Sequence, residues 1–181
     1  MKMIVKLQPR VFLIIIQTFL VTVTAQINLV LNGTAAQETT YIDGAGIAYN
    51  ANLAIEGPAN NNWGDGCSST ADNQSKTWWG FFLPKLVYIS RVNIYLRNDV
   101  PARMNDFRLY LANGSIYSQS ELCYRDRLKQ SYYNLNQSID CDNSPTKNVY
   151  FFNRNGMNTF IELCYIEIYE LILTFLSKNR F

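Results

Sequence analysis

Beyond the N-terminal stretch, hydrophobic and polar residues alternate with a period of two rather than the helical 3.6. Val92, Ile94 and Leu96 alternate with Arg91, Asn93 and Tyr95, the pattern of a half-buried strand. Phe107, Leu109 and Leu111 alternate in the same way with Arg108 and Tyr110, and Cys164, Ile166 and Ile168 with Tyr165, Glu167 and Tyr169. Asn148 to Phe152 is a short β-prone run. Between these runs lie Gly57-Pro58-Ala59-Asn60-Asn61-Asn62, Asn98-Asp99-Val100-Pro101 and Asn153-Arg154-Asn155-Gly156, where Gly, Asn and Pro supply the bends of tight loops. No amphipathic helix and no internal repeat is visible. The pattern predicts an all-β sandwich of one domain, residues 27–170. The apolar run Leu171 to Leu176 then reads as an extra edge strand or a frayed tail over 171–181.

Residues 1–10 carry Lys2, Lys6 and Arg10, Val11 to Leu20 is apolar except for Gln17 and Thr18, and Val23-Thr24-Ala25 ends in small residues. Charged start, short apolar run and small-residue exit predict a cleaved secretory signal peptide over residues 1–25, hence a secreted, extracellular protein. An anchor helix is the alternative, but the run is too short to span a bilayer comfortably. Losing those three cations leaves 13 basic residues against 14 acidic ones, so the formal charge moves from +2 to −1. No basic field for nucleic acid remains. Four sequons fit export to a glycosylating compartment: Asn32-Gly33-Thr34, Asn73-Gln74-Ser75, Asn113-Gly114-Ser115 and Asn136-Gln137-Ser138.

The chain contains no histidine, which removes Ser-His-Asp and Cys-His catalysis, histidine-ligated zinc and histidine pH sensing together. Cys67, Cys123, Cys141 and Cys164 have no CxxC spacing, so in an oxidising compartment they read as two disulfides. Three pairings are open. The acids Asp43, Glu56, Asp65 and Asp72 have no spacing that suggests a glycosidase pair, so a non-catalytic binding module is expected rather than an enzyme.

Several segments carry a family resemblance. Asn28 to Gln37 followed by Thr39-Thr40-Tyr41 resembles the opening of F-type lectins, the fucolectins. The likeness continues through Leu53-Ala54-Ile55-Glu56-Gly57, Gly66-Cys67, Trp78-Trp79, Leu83, Tyr88-Ile89, Val92, Ile94, Arg97 and Asp99, and closes with Glu162 to Ile168. It is nearest to the fucolectin-like domains that precede EGF-like repeats in invertebrate scavenger-receptor-type proteins. The resemblance implies a galactose-binding-like jelly roll, shared with discoidin and the coagulation-factor type C domains. It also implies the nested pairing Cys67–Cys164 and Cys123–Cys141.

In that family one histidine and two arginines donate hydrogen bonds to fucose, and an apolar surface supports its methyl group. Arg97 and Asp99 match the first Arg-x-Asp, Arg103 is the second arginine placed one residue early, and the histidine position falls on Ser69. Val100-Pro101 stands where the family has adjacent cysteines. Arg97, Asp99, Arg103 and Ser69 are therefore the candidate carbohydrate-binding residues. Without a binding role, Arg97 and Asp99 are a strand-end ion pair and Arg103 a solvated loop residue. Trp78 and Trp79 read as core and support rather than sugar platforms.

For the family's calcium, Glu56 and the Cys164 carbonyl are the candidate ligands. Glu56 replaces an Asp, Pro58 an Asn and Tyr165 an acid, so the expected site is poor or absent. The leading expectation is recognition of glycans or glycoproteins, fucose or a related sugar, in innate immunity, with an oligomer as a route to avidity. The alternative is a discoidin-type adhesion module without sugar binding, using Tyr41, Tyr49 and Phe82. On the lectin reading, Arg97→Ala abolishes glycan binding and leaves folding intact.

Overall fold

The computed structural model describes residues 24–114, 120–127, 134–141, 145–154 and 159–173, with side chains described from 26 to 170. The strands in chain order are β1 (Thr24–Asn28), β2 (Thr34–Gln37), β3 (Ser68–Ser69), β4 (Thr77–Leu96), β5 (Arg108–Ala112), β6 (Ser120–Arg125), β7 (Asn136–Asp140), β8 (Pro145–Asn153) and β9 (Glu162–Leu173). A one-turn helix, α1 (Leu53–Glu56), and 3-10 turns at Val30–Asn32, Trp63–Asp65 and Pro101–Met104 join them. None of the described helices is long and apolar enough to cross a membrane. Residues Gln26–Leu171 make one compact unit. The expected signal peptide before Thr24 and the tail after Leu173 lie outside the described residues.

The architecture is an antiparallel β-sandwich whose two layers share β4. Its first part pairs with β2 (Ala35↔Phe81) and β8 (Trp79↔Phe151). Its second part pairs with β9 (Ile94↔Ile166) and β7 (Ile94↔Gln137). The hydrogen-bonded order is β1-β9-β4-β8-β5-β6, with β2 and β7 also on β4 and β3 on β9. Buried positions along β4 run Trp79, Phe81, Leu83, Val87, Ile89 and then Val92, Ile94, Leu96, a change of phase by one residue. A slip of one would turn the second half outward. The register irregularity between Ile89 and Arg91 absorbs it, so both halves face the core.

That core is one cluster. Phe81, Phe107, Leu109 and Phe151 come from one layer, and Ile94, Leu163, Ile166 and Ile168 from the other. Each such side chain removed from water contributes about 1.5–3 kcal/mol. Trp79 is fully buried, donates from Nε1 to the Ala51 carbonyl at 3.1 Å and meets Phe151 edge-on at 5.9 Å. Trp78 is half-buried against Tyr150. The pair is core and support, as its sequence position suggests.

Both disulfides form in the nested pairing, Cys67–Cys164 and Cys123–Cys141. Cys67 immediately precedes β3, so its bridge and the β3–β9 ladder act together on one segment. Cys123 lies in β6 and Cys141 just past β7, so the second bridge ties the two layers. The bridges close spans of 97 and 18 residues. Replacing Cys67 and Cys164 by Ala is therefore expected to cost about 4–5 kcal/mol, and replacing Cys123 and Cys141 about 3 kcal/mol. Denaturant unfolding of the two double variants measures the difference; an equal or reversed order contradicts the loop-length argument.

Candidate functional site

The ladder between β3 and β9 sets Ser69 opposite Glu162. Glu162 is only 1% exposed, and a carboxylate that deep needs compensating partners. Its Oε1 accepts from Ser69 Oγ at 3.2 Å, Arg97 Nη1 at 3.1 Å and Arg103 Nη1 at 2.9 Å. Arg97 follows directly on the end of β4, and Arg103 sits in the 3-10 turn that begins at Pro101. The Arg97 fork also grips Asp99: Nε donates to Oδ1, and Nη2 donates to Oδ2 at 2.7 Å.

The loop before Cys67 is clamped to the same strand end. Asn61 Nδ2 donates to the Leu96 carbonyl at 2.7 Å, and the Asn61 carbonyl accepts from the Asn98 amide at 3.0 Å. This clamp carries Trp63 into the site, with its ring 3.7 Å from the Arg97 guanidinium carbon. Trp63 stacks on Tyr49 at 4.1 Å, and Tyr41 lies 5.6 Å from Tyr49. Phe160 supports Arg103 in the same manner at 4.5 Å. Guanidinium over an aromatic face is favourable and keeps the cation flat against an apolar wall.

These groups surround a cavity of about 480 Å³, lined by Trp63, Ser69, Arg97, Arg103, Phe160 and, on the far rim, Tyr41, Asp43, Tyr49, Asp72 and Asn73. A guanidinium has five N–H donors. Arg97 commits three of them to Asp99 and Glu162, and Arg103 commits one to Glu162, among the described residues. The remainder are available to a ligand. Burial works against the Arg97 charge, but the Asp99 hydrogen bonds and the charges of Glu162 and Asp99 outweigh it and raise its pKa further. The same bond from Arg97 lowers the Asp99 pKa below the usual carboxylate value. Asp43 is held ionised mainly by the Ile47 amide, with help from Ala45 and the Tyr49 hydroxyl.

The structure thus gathers Ser69, Arg97, Asp99 and Arg103 around one buried acid. The Ser69 hydroxyl points at Glu162 and the Thr70 carbonyl, so its single proton is shared inside the protein. Of the exposed aromatics expected from sequence, Tyr41 and Tyr49 line the cavity, whereas Phe82 lies on β4 against Tyr150. Glu56, the candidate calcium ligand, is exposed at the end of α1, and Cys164 is bridged and buried. The Tyr165 ring packs towards Gly57 and lies 5.6 Å from Tyr95. Among the described residues no group of three or more acidic, Cys or His side chains could hold a metal. Sequence reasoning missed Glu162 as the anchor, and Trp63 and Phe160 as walls. A lone Trp in the polar loop Asn60-Asn61-Asn62-Trp63-Gly64-Asp65 was the available signal.

No protein-family model and no curated protein sequence matches the chain. Solved structures do. A fucolectin from striped bass (Morone saxatilis) serum is 22% identical with a TM-score of 0.67 over 82% of this chain. The chain spans about half of that lectin, 48% of its length. A fucose-binding module of Streptococcus pneumoniae is 23% identical, TM-score 0.61, with 79% of this chain matched to 97% of that one. A family 32 carbohydrate-binding module of C. perfringens NanJ, in complex with galactose, is 16% identical, TM-score 0.58, with 81% matched to 100%. The fold is therefore the fucolectin-like, galactose-binding-like β-sandwich.

The burial of Glu162 revises the sequence expectation for Arg97→Ala. Removing one of two cations from a buried carboxylate destabilises by up to about 3–5 kcal/mol, so this variant loses stability in a denaturant titration. Arg97→Lys, which keeps the charge, loses less. Acid titration is the second check. Asp43, Asp99 and Asp106 all have lowered pKa values, the last chiefly through the Arg125 hydrogen bond. Such groups contribute stability that is complete above the unfolded value of about 3.9 and lost as pH falls through the folded value. The melting temperature should fall below about pH 4, and Asp99→Asn should remove part of that fall.

Proposed function

We propose that the chain is a secreted, non-catalytic carbohydrate-binding module that takes a neutral sugar, fucose or a close relative, in the arginine cavity. The observation that carries this reading is the pair of guanidiniums fixed by Glu162 inside an aromatic-walled cavity of about 480 Å³. That volume suits a small ligand. The spare N–H groups of Arg97 and Arg103 meet hydroxyl oxygens, the exposed Asp72 carboxylate offers an acceptor for a hydroxyl proton, and Trp63 and Phe160 offer a surface for C–H groups. Catalysis is not supported: both Asp43 oxygens already accept hydrogen bonds, and its lowered pKa makes it a poor general acid. The matched S. pneumoniae module binds fucose and the NanJ module is in complex with galactose, and recognition of such sugars on microbial or host glycans fits an innate-immune role.

A second reading has its own support. Ile42 and Ile47, 61% and 56% exposed, flank the Tyr41–Tyr49 rim, as they would in an adhesion module whose contact is with protein.

A glycan array probed with the secreted protein, its own N-linked glycans enzymatically trimmed, separates the two. The expected result is binding to fucosylated glycans that survives chelation of calcium and weakens about tenfold or more in Arg97→Lys, which loses the fork and its stacking. Silence on every glycan from folded protein with both bridges intact transfers the assignment to adhesion.

A further inference from the structure

We propose that Asn73 is an N-glycosylation site whose glycan stands at the mouth of the arginine cavity and governs entry to it. The inference rests on the proposed export of the chain, and its consequence for ligand on the proposed sugar binding. Asn73-Gln74-Ser75 is an intact acceptor sequence, and Asn73 is exposed. Asn73 also lines the cavity with Ser69, Trp63, Arg97 and Arg103; Asn32, Asn113 and Asn136 do not.

The loop that carries it is fixed on its far side. The Gln74 carbonyl accepts from the Thr159 amide at 2.9 Å and from Thr159 Oγ1 at 3.0 Å, and Thr159 is 2% exposed. Gln74 Nε2 returns a bond to the Asp72 carbonyl at 3.1 Å. Asn73 itself sits at φ 57°, in the left-handed region that asparagine tolerates better than most residues. A glycan there starts at the cavity wall, on a backbone anchored beside it.

The modification balances simply. The Asn73 amide nitrogen bonds to the anomeric carbon of an oligosaccharide carried on a lipid diphosphate. The bond from that carbon to the phosphate oxygen breaks, the lipid diphosphate leaves with the electron pair, and the nitrogen gives up one proton to a base of the transferase. A branched glycan of several sugars exceeds a 480 Å³ cavity, so it stands over the opening, and its first rings compete for the arginines at the high effective concentration of a tethered group. Glycosylated chains are closed to an outside glycan, and unmodified chains are open.

The test uses the full chain secreted from a glycosylating eukaryotic host, beside Ser75→Ala, which destroys the acceptor sequence at an exposed position and keeps Asn73. Enzymatic trimming of the wild-type glycan is a third arm that needs no substitution. Peptide mapping by mass spectrometry should find the glycan on Asn73. Iodide should quench tryptophan fluorescence more in Ser75→Ala and in trimmed protein than in untrimmed wild type, because Trp63 lines the cavity while Trp79 is buried. In titrations with L-fucose, sites per chain should rise from the unmodified fraction in wild type towards one in Ser75→Ala. An empty Asn73 in secreted protein, or an occupied one with unchanged quenching, overturns the inference. Shielded quenching with no sugar bound by any form upholds the gate and removes the lectin reading.

Discussion

Glu162 is the constraint around which this end of the sandwich is arranged. A carboxylate 1% exposed cannot be left unpaired, because desolvation of the charge costs several kcal/mol. Three donors converge on Oε1, while Oε2 has no hydrogen-bond partner among the described residues. The three come from separate parts of the chain: β3, the end of β4 and the turn before β5. The Cys67–Cys164 bridge and the Ser68↔Leu163 pairing hold β3 against β9, so the acid and its first donor are kept in register independently of the arginines.

The consequence for ligand is preorganisation. Arginine side chains are long and lose much rotamer freedom when a ligand fixes them. Here that loss is taken at folding, since Arg97 is held by Asp99, Glu162 and the Trp63 face, and Arg103 by Glu162 and the Phe160 face. Only 13% of the Arg97 side chain remains exposed, against 40% for Arg103. Arg97 is thus the fixed floor of the cavity, and Arg103 the more open donor. Oriented donors that need not reorganise are the ones that discriminate between hydroxyl arrangements.

Strands were legible because alternation survives in single sequences: Val92 to Leu96 and Cys164 to Ile168 carry the pattern directly. The span of β4 was harder, since the irregularity between Ile89 and Arg91 changes the phase and breaks one strand into two apparent pieces. Glu162 was readable in principle. It stands two before Cys164, in phase with the buried Ile166 and Ile168, and a carboxylate on that face demands a cation. Which cations meet it depends on two loops brought together only by the tertiary fold. A lone Trp in a polar loop marked Trp63, but where its ring goes was not legible, because the Asn61 clamp that directs it reaches the Leu96 carbonyl, 35 residues away.

The serine at the histidine position changes what the site offers as well as how strongly. Ser69 is 1% exposed and turns its hydroxyl to Glu162 and Thr70, so it presents no proton to the cavity. Where the resemblance implies a third donor, this chain has a group that secures the acid beneath the arginines. A hydroxyl-to-ligand bond is worth about 0.5–1.5 kcal/mol net, so its absence lowers the affinity of each cavity by up to about tenfold. On the proposed sugar-binding reading, recognition rests on two guanidiniums and an aromatic wall, and discrimination falls to the shape between Trp63 and Phe160.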